Sequence, residues 1–245
     1  MTSDMDIIVP GWKVPGHIKA ISTTKVGGIS LPPFDGLNLG MHVGDDPNVV
    51  KTNRDMLVRY NCLPATPVWL DQTHSTVVAR IDTPQDVPVQ ADGAISSAAK
   101  VVCCVMTADC LPILLTDIEG SQVAAVHAGW RGLANGIIEN AVRQFDKPVL
   151  AWLGPAIGAN AFEVGHDVFE AFTSHDPIAE WAFRSKGNGK YLADMFLLAT
   201  QRLKAAGVKD VVDSGLCTYS DPKHFYSYRR EGITGRQASL IWIEK

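Results

Sequence analysis

The chain has no apolar run near the ~20 residues that a membrane-spanning helix needs, no excess of basic residues, no Cys-x-x-Cys pair and no His-x-His pair. Each absence removes a class of function. A formal net charge of −4 over 245 residues gives no basic face, so no nucleic-acid partner and no membrane partner is expected. The opening MTSDMDIIVPGWKVPG lacks a basic region followed by an apolar one, so no secretory signal is read there. Five cysteines, an odd number without framework spacing, point to reduced thiols and a cytoplasmic protein. There is no internal repeat, no low-complexity segment and no linker, so residues 1–245 are read as a single domain. A hydrophobic content of 46% with 20% charged residues is that of an ordinary globular chain with a sizeable core.

What is there concentrates between Val101 and Gly132. Three short apolar runs, 101–106, 111–115 and 123–126, read as buried strands, and Asp109, Cys110, His127 and Arg131 stand at their ends. Around them, strands are expected over 7–9, 17–23, 67–70, 76–81, 149–153, 208–212, 225–229 and 237–243. A helix should start at Asp45-Asp46-Pro47, with acidic residues at its positive end and Pro in its first turn, and run to about residue 60. Further helices are expected over 133–145, 162–172 and 191–206, the last closed by Gly207. Residues 30–44, rich in Gly, Pro and Asn, form a loop long enough to be functional. Strands with helices outside them predict an α/β fold, a mixed sheet or sheet pair covered by helices.

His74, Cys110 and His127 lie 36 and 17 residues apart and each follows or ends a strand-like run. Two imidazoles and a thiolate suit zinc, and three protein ligands leave a tetrahedral ion one open position. The same spacing also fits a buried thiol beside two ordinary loop histidines. The adjacent pair Cys103-Cys104 points to opposite faces of a strand and makes no joint site. His-Ala-Gly-Trp-Arg-Gly joins a strand to a helix, so backbone N–H groups and Arg131 are placed to grip a phosphate or carboxylate; otherwise the glycines make a tight turn and Arg131 is a solvated cap. Asp109 either orients a ligand imidazole or caps a turn, and Asp92 carries the same ambiguity. Arg229 and Arg230, within Phe-Tyr-Ser-Tyr-Arg-Arg, offer an aromatic and cationic edge for a base or phosphate, or plain sheet surface. His42 is a modest site candidate from the glycine-rich loop; His17, His166, His175 and His224 read as surface or packing residues.

The blocks WLDQTHS, ADGAIS, TADCLPILL, AAVHAGWRGLANGII, AWLGPAIG, FEVG and YSYRREGITGRQASLIWI, in that order from about Thr23 to the C-terminus, resemble the YfiH family. That family is also known as the laccase-domain or purine nucleoside phosphorylase group. The resemblance implies a layered α-β-β-α sandwich with mixed sheets, related to the catalytic domain of cytotoxic necrotizing factors. It implies a zinc ion on His74, Cys110 and His127, with copper less expected: a multicopper oxidase uses many histidines, commonly in His-x-His pairs, and this chain has seven and no such pair. It further implies phosphorolysis of adenosine, inosine, guanosine and methylthioadenosine, together with adenosine deamination, with purine nucleosides and phosphate as partners; separately, a monomer is expected. Gln72, Asp92 and Arg229 are then candidates for the acid that assists the purine leaving group. Two alternatives stay open. One is a cysteine hydrolase, such as an amidase editing cell-wall precursors, with Cys110 as nucleophile, His127 as base and Asp109 or another group as orienter. The other is a non-catalytic metal- or nucleotide-binding module.

Overall fold

A computed structural model describes residues 5–244. Its strands, in chain order, are β1 (Ile7–Ile8), β2 (Ile18–Thr23), β3 (Leu70–Asp71), β4 (Val78–Arg80), β5 (Val89–Gln90), β6 (Gly93–Ser96), β7 (Cys103–Thr107) and β8 (Leu111–Asp117). They continue with β9 (Val123–Ala128), β10 (Val149–Leu153), β11 (Glu163–Val164), β12 (Phe183–Gly187), β13 (Lys190–Ala193), β14 (Asp210–Asp213) and β15 (Gln237–Ile243). The α-helices are α1 (Pro47–Tyr60), α2 (Trp130–Ala134), α3 (Ile137–Val142), α4 (His166–Thr173), α5 (Met195–Ala205) and α6 (Tyr228–Glu231), and a 3-10 helix covers Pro177–Ala182. No helix among the described residues is long and apolar enough to cross a membrane.

The larger sheet has the order β14-β10-β8-β9-β6-β4 and the second the order β1-β2-β15-β7. The larger one is mixed: β10 runs parallel to β14 and antiparallel to β8. Alternation along each strand sends side chains to both faces, and here both faces are covered. In β8, Leu111, Ile113 and Leu115 pack under α2, α3, α4 and α5, whereas Leu114 joins Ala125 of β9 and Trp152 of β10 between the sheets. From the second sheet, Cys103, Val105, Ile241 and Ile243 meet that same inter-sheet layer. Their neighbours Cys104, Met106, Leu240 and Trp242 face the other way, against Leu57 of α1 and Leu37 and Leu39 of the preceding loop. The layers therefore run helices, sheet, sheet, helix. Strands buried on both faces explain why these runs are apolar throughout rather than alternating.

The hairpin of β8 and β9 positions the site. Its turn is tied by Asp117, which accepts hydrogen bonds from the Glu119 and Gln122 N–H groups and the Ser121 hydroxyl. Its register pairs Leu111 with Ala128 and Pro112 with His127, so Cys110 and His127 emerge at the same sheet end. Chain order alone leaves them 17 residues apart.

Several expected elements differ. The helix expected over 133–145 begins earlier, at Trp130, and is cut into α2 and α3 at Gly136, whose φ of 96° no helix accommodates. Residues 162–172 and 191–206 each open as a strand instead of a helix: β11 pairs with β13, which pairs with β12, and only beyond Gly165 and Asp194 do α4 and α5 begin. Asp194 accepts from the Leu197 N–H and is the true start signal of α5. Residues 225–229 form no strand. Phe225 and Tyr226 are buried, and Ser227 caps the short α6 by accepting from the Arg230 N–H. The strand expected over 67–70 reduces to β3 and an isolated bridge from Val68 to Cys103. By contrast α1 starts at Pro47 behind an Asp46 cap, and β15 spans 237–243 as expected.

Candidate metal centre

Among the described residues, His74, Cys110 and His127 form the one group of three or more His, Cys, Asp or Glu side chains able to share an ion, their ligand atoms lying within 4.8 Å of one another. Zinc bonds of about 2.3 Å to sulfur and about 2.0–2.1 Å to nitrogen, at a tetrahedral angle, separate the two ligand atoms by roughly 3.6 Å. Cys110 Sγ stands 3.7 Å from His74 Nε2. The donor set, two imidazoles and a thiol, therefore fits a tetrahedral ion with one position left open. His127 is buried, Cys110 half-buried and His74 exposed, so the cluster closes on the protein side and opens on the other.

Two carboxylates hold this arrangement, and they divide the work differently from expectation. Asp92, fully buried, accepts from His127 Nδ1 at 2.8 Å. A carboxylate can only accept, so Nδ1 carries a proton and Nε2 is the ring nitrogen left to face an ion. The same carboxylate accepts from three successive backbone N–H groups, Thr73, His74 and Ser75, and from the Ser75 hydroxyl. Burial opposes its ionisation, but the His127 bond first and the Ser75 bonds with it outweigh burial and hold its pKa far below the usual carboxylate range. One residue thus orients one imidazole and fixes the loop carrying the other. His74 itself is held at φ 61°, a left-handed conformation that the Asp92 bonds impose. Asp109 does not orient an imidazole. Its carboxylate accepts from the Thr218 and Ser227 hydroxyls and from the Arg229 N–H, tying the Cys110 turn to the C-terminal segment.

Burial opposes ionisation of the Cys110 thiol, but the neighbouring His127 and His74 imidazoles outweigh it and lower its pKa. Burial likewise opposes protonation of His127, and the Cys110 sulfur with the Asp92 carboxylate overrides it and raises its pKa. The thiolate form is thus favoured, as both a metal ligand and a nucleophile require. Cys103 and Cys104 are the opposite case: burial pushes both thiols up, and they are packing residues. Gly129 makes the cluster sterically possible. A Cβ there would lie 2.5 Å from His74 Cδ2 and 3.2 Å from Cys110 Sγ.

The cluster opens into a cavity of about 330 Å³ lined also by His42, Gln72, Met106, Thr107, Arg131, Tyr228 and Arg236. Arg131, with its guanidinium 4.4 Å over the Trp130 ring, thus reaches the same space as the ligands. Gln72 does so with both ends of its amide engaged, donating to the Met106 carbonyl and accepting from the Met106 N–H at 2.8 Å each. It extends the edge of β7 as a short strand would, and its amide N–H groups can donate a hydrogen bond but are not acidic. Arg229 is not brought in. Its guanidinium donates to the Glu163 carbonyl and lies over the Phe162 ring, and it is absent from the cavity wall. Arg236, which the sequence analysis did not single out, and Tyr228, from the Phe-Tyr-Ser-Tyr-Arg-Arg edge, also line the cavity. Both lie in the long C-terminal motif, where an arginine beside glycine, Gly235-Arg236, was the available signal. The 30–44 loop brings His42 to the wall because Leu39 and Arg236 bond through their backbones and Arg54 donates twice to the Leu39 carbonyl. His166 stacks on Phe169, His17 meets the Gly120 carbonyl, and His224 pairs with Asp221, all outside the cavity.

Residues 19–244 match the family model described as multi-copper polyphenol oxidoreductase laccase. The chain is 50% identical over 240 residues to a Shigella flexneri protein named purine nucleoside phosphorylase YfiH, covering 97% of this chain and 98% of that one. A Haemophilus influenzae protein named purine nucleoside phosphorylase is 47% identical over 245 residues, covering 98% of this chain and all of its own (100%). The crystal structure of a Neisseria meningitidis protein superposes with a TM-score of 0.94 at 45% identity, covering 98% of this chain and 99% of the other. That of YlmD from Geobacillus stearothermophilus gives 0.88 at 31% identity, with 94% and 93% covered.

Proposed function

This chain belongs to the multi-copper polyphenol oxidoreductase laccase family, alongside the YfiH proteins, and on that premise we propose that it is a zinc-dependent purine nucleoside phosphorylase. The substrates of this reading are adenosine, inosine, guanosine and methylthioadenosine, cleaved with phosphate to free base and the sugar 1-phosphate, with adenosine deamination at the same site. It is a reading of residues 1–245 as one domain, a cytoplasmic monomer. The observation that carries it is the meeting of a three-ligand cluster with two arginines in one cavity. A laccase needs several coppers, whereas this group of three ligands, the one such group among the described residues, would suit a single ion.

When bound, zinc supplies Lewis acidity at its open position. The chain's own residues do the rest. Arg131 and Arg236 neutralise and orient the phosphate that attacks the anomeric carbon, both as guanidinium cations, which proteins do not deprotonate. Asp92 keeps the His127 proton on Nδ1. His42 and the exposed Tyr228 stand at the wall as flat surfaces for the purine.

A specific observation favours a second reading. Cys110, His127 and Asp92 stand in the order nucleophile, base, orienter, with Asp92 in the place first given to Asp109. This would make a cysteine hydrolase, such as an amidase acting on cell-wall precursors, and the expected kinship with the cytotoxic necrotizing factor catalytic domain goes with it. Chelation and alkylation separate the two. For the phosphorylase, elemental analysis finds about one zinc per chain, a chelator abolishes nucleoside turnover, and iodoacetamide reaches Cys110 only after chelation. A hydrolase would keep its activity through chelation, lose it to alkylation of the untreated protein, and show a covalent substrate adduct by intact mass.

A further inference from the structure

Thr107 ends β7 and lines the candidate cavity, yet its hydroxyl is buried without a hydrogen-bond partner among the described residues. The residue is 2% exposed. Buried polar groups are normally paired, so an unpaired one in a native fold calls for a reason. Alternation along β7 gives the direction. Cys103 and Val105 face the inter-sheet layer, and Thr107, two residues further, falls on that same face at the sheet end where Cys110 and His127 emerge. Its neighbour Met106 occupies the opposite face and both its backbone groups are taken by Gln72. The Thr107 hydroxyl is therefore a small, neutral, uncommitted group in a wall that also carries two arginines, three imidazoles, a thiol, an amide, a thioether and a phenol.

We infer that Thr107 is a specificity-determining residue that hydrogen-bonds a sugar hydroxyl of the substrate; this rests on the phosphorylase reading. Three features favour the sugar over the base or the phosphate. The arginines already answer the phosphate, and the flat His42 and Tyr228 side chains answer the purine. What remains between them in a nucleoside is the ribose, whose hydroxyls both donate and accept, as a threonine hydroxyl does. A site built to bond a substrate hydroxyl discriminates against the analogue that lacks it, because the site's own polar group is then left unpaired.

The test compares wild type, Thr107→Val and Thr107→Ser on inosine and its 2′-deoxy and 3′-deoxy analogues, with zinc content and Tm measured for each protein. Thr107→Val keeps the shape and removes the hydroxyl. It should raise the KM for inosine at least about fivefold, leave the KM for phosphate and the zinc content unchanged, and erase the preference for inosine over one deoxy analogue. Thr107→Ser should recover most of that loss. Without substrate, the Tm of Thr107→Val should stand at or above wild type, because a hydroxyl with no partner has no bond to lose. A lower Tm with unchanged inosine KM would make Thr107 a structural residue and overturn the inference. So would an equal rise in KM for inosine and both deoxy analogues. Wild-type protein that cleaves none of these nucleosides overturns the phosphorylase reading itself, and the inference with it.

Discussion

Asp92→Asn is the substitution that tests the architecture of the site most directly. Asparagine has nearly the same shape, so packing is conserved and only hydrogen bonding changes. The Asp92 Oδ2 atom accepts from the Thr73 and Ser75 N–H groups and the Ser75 hydroxyl, and Oδ1 accepts from His74 N–H and His127 Nδ1. An amide must place its NH2 group at one of these positions, facing donors. With nitrogen at the Oδ2 position, the part-buried Thr73 and Ser75 N–H groups lose their acceptor, at about 0.5–1.5 kcal/mol each, for a total of roughly 1–3 kcal/mol. With nitrogen at the Oδ1 position, one backbone N–H is orphaned, and His127 can be satisfied only by moving its proton to Nε2. That removes the lone pair an ion needs and should weaken metal affinity by about 10–100-fold. Either orientation is measurable. Urea unfolding of the metal-free protein reads the first, and zinc competition against a chromophoric chelator reads the second. A variant within about 0.5 kcal/mol of wild type that also binds zinc equally well would refute the role given to Asp92.

Gly129→Ala should leave the fold intact, since the backbone there (φ −63°, ψ 155°) suits alanine. Its new methyl must displace the exposed His74 ring or the Cys110 sulfur, so zinc content should fall well below one per chain while stability changes by less than about 1 kcal/mol. Full zinc occupancy in this variant would mean that the cluster is looser than the distances indicate. Arg131→Ala should raise the KM for phosphate in phosphorolysis far more than it affects deamination, and equal loss of both activities would make Arg131 a general site residue instead. Asp117 predicts an acid-dependent stability. Burial would raise its pKa, but the bonds from the Ser121, Glu119 and Gln122 groups override that and depress it in the folded state. A depressed native pKa contributes stability above the ordinary carboxylate value, about 3.9, and loses it as pH falls through the native value. Asp117→Asn should therefore be less stable than wild type at pH 7, with the gap narrowing as pH falls below the ordinary carboxylate value in denaturation curves; a gap independent of pH would refute the assignment.

Local signals determined a good part of this molecule. An acidic cap before Pro47 set the start of α1, and the apolar runs at 111–115, 123–126 and 240–243 set most of β8, β9 and β15, because each is decided by residues within a few positions of one another. The candidate ligands were legible for a related reason: His74, Cys110 and His127 sit in motifs at strand ends, which a single chain displays in order. Tertiary structure decided what depends on distant partners. Residues 191–193 read as the first turn of a helix, but strand pairing to β11 and β12 claims their backbone before α5 can. Asp92 and Asp109 look alike in sequence. One meets an imidazole 35 residues away and the other a hydroxyl 109 residues away, and only those meetings separate an orienting carboxylate from a tethering one. Arg229 and Arg236 share one motif, yet packing turns the first toward Phe162 and the second into the cavity. The unpaired hydroxyl of Thr107 was beyond reach for the same reason: whether a buried polar group has a partner is a property of everything packed around it, not of its neighbours along the chain.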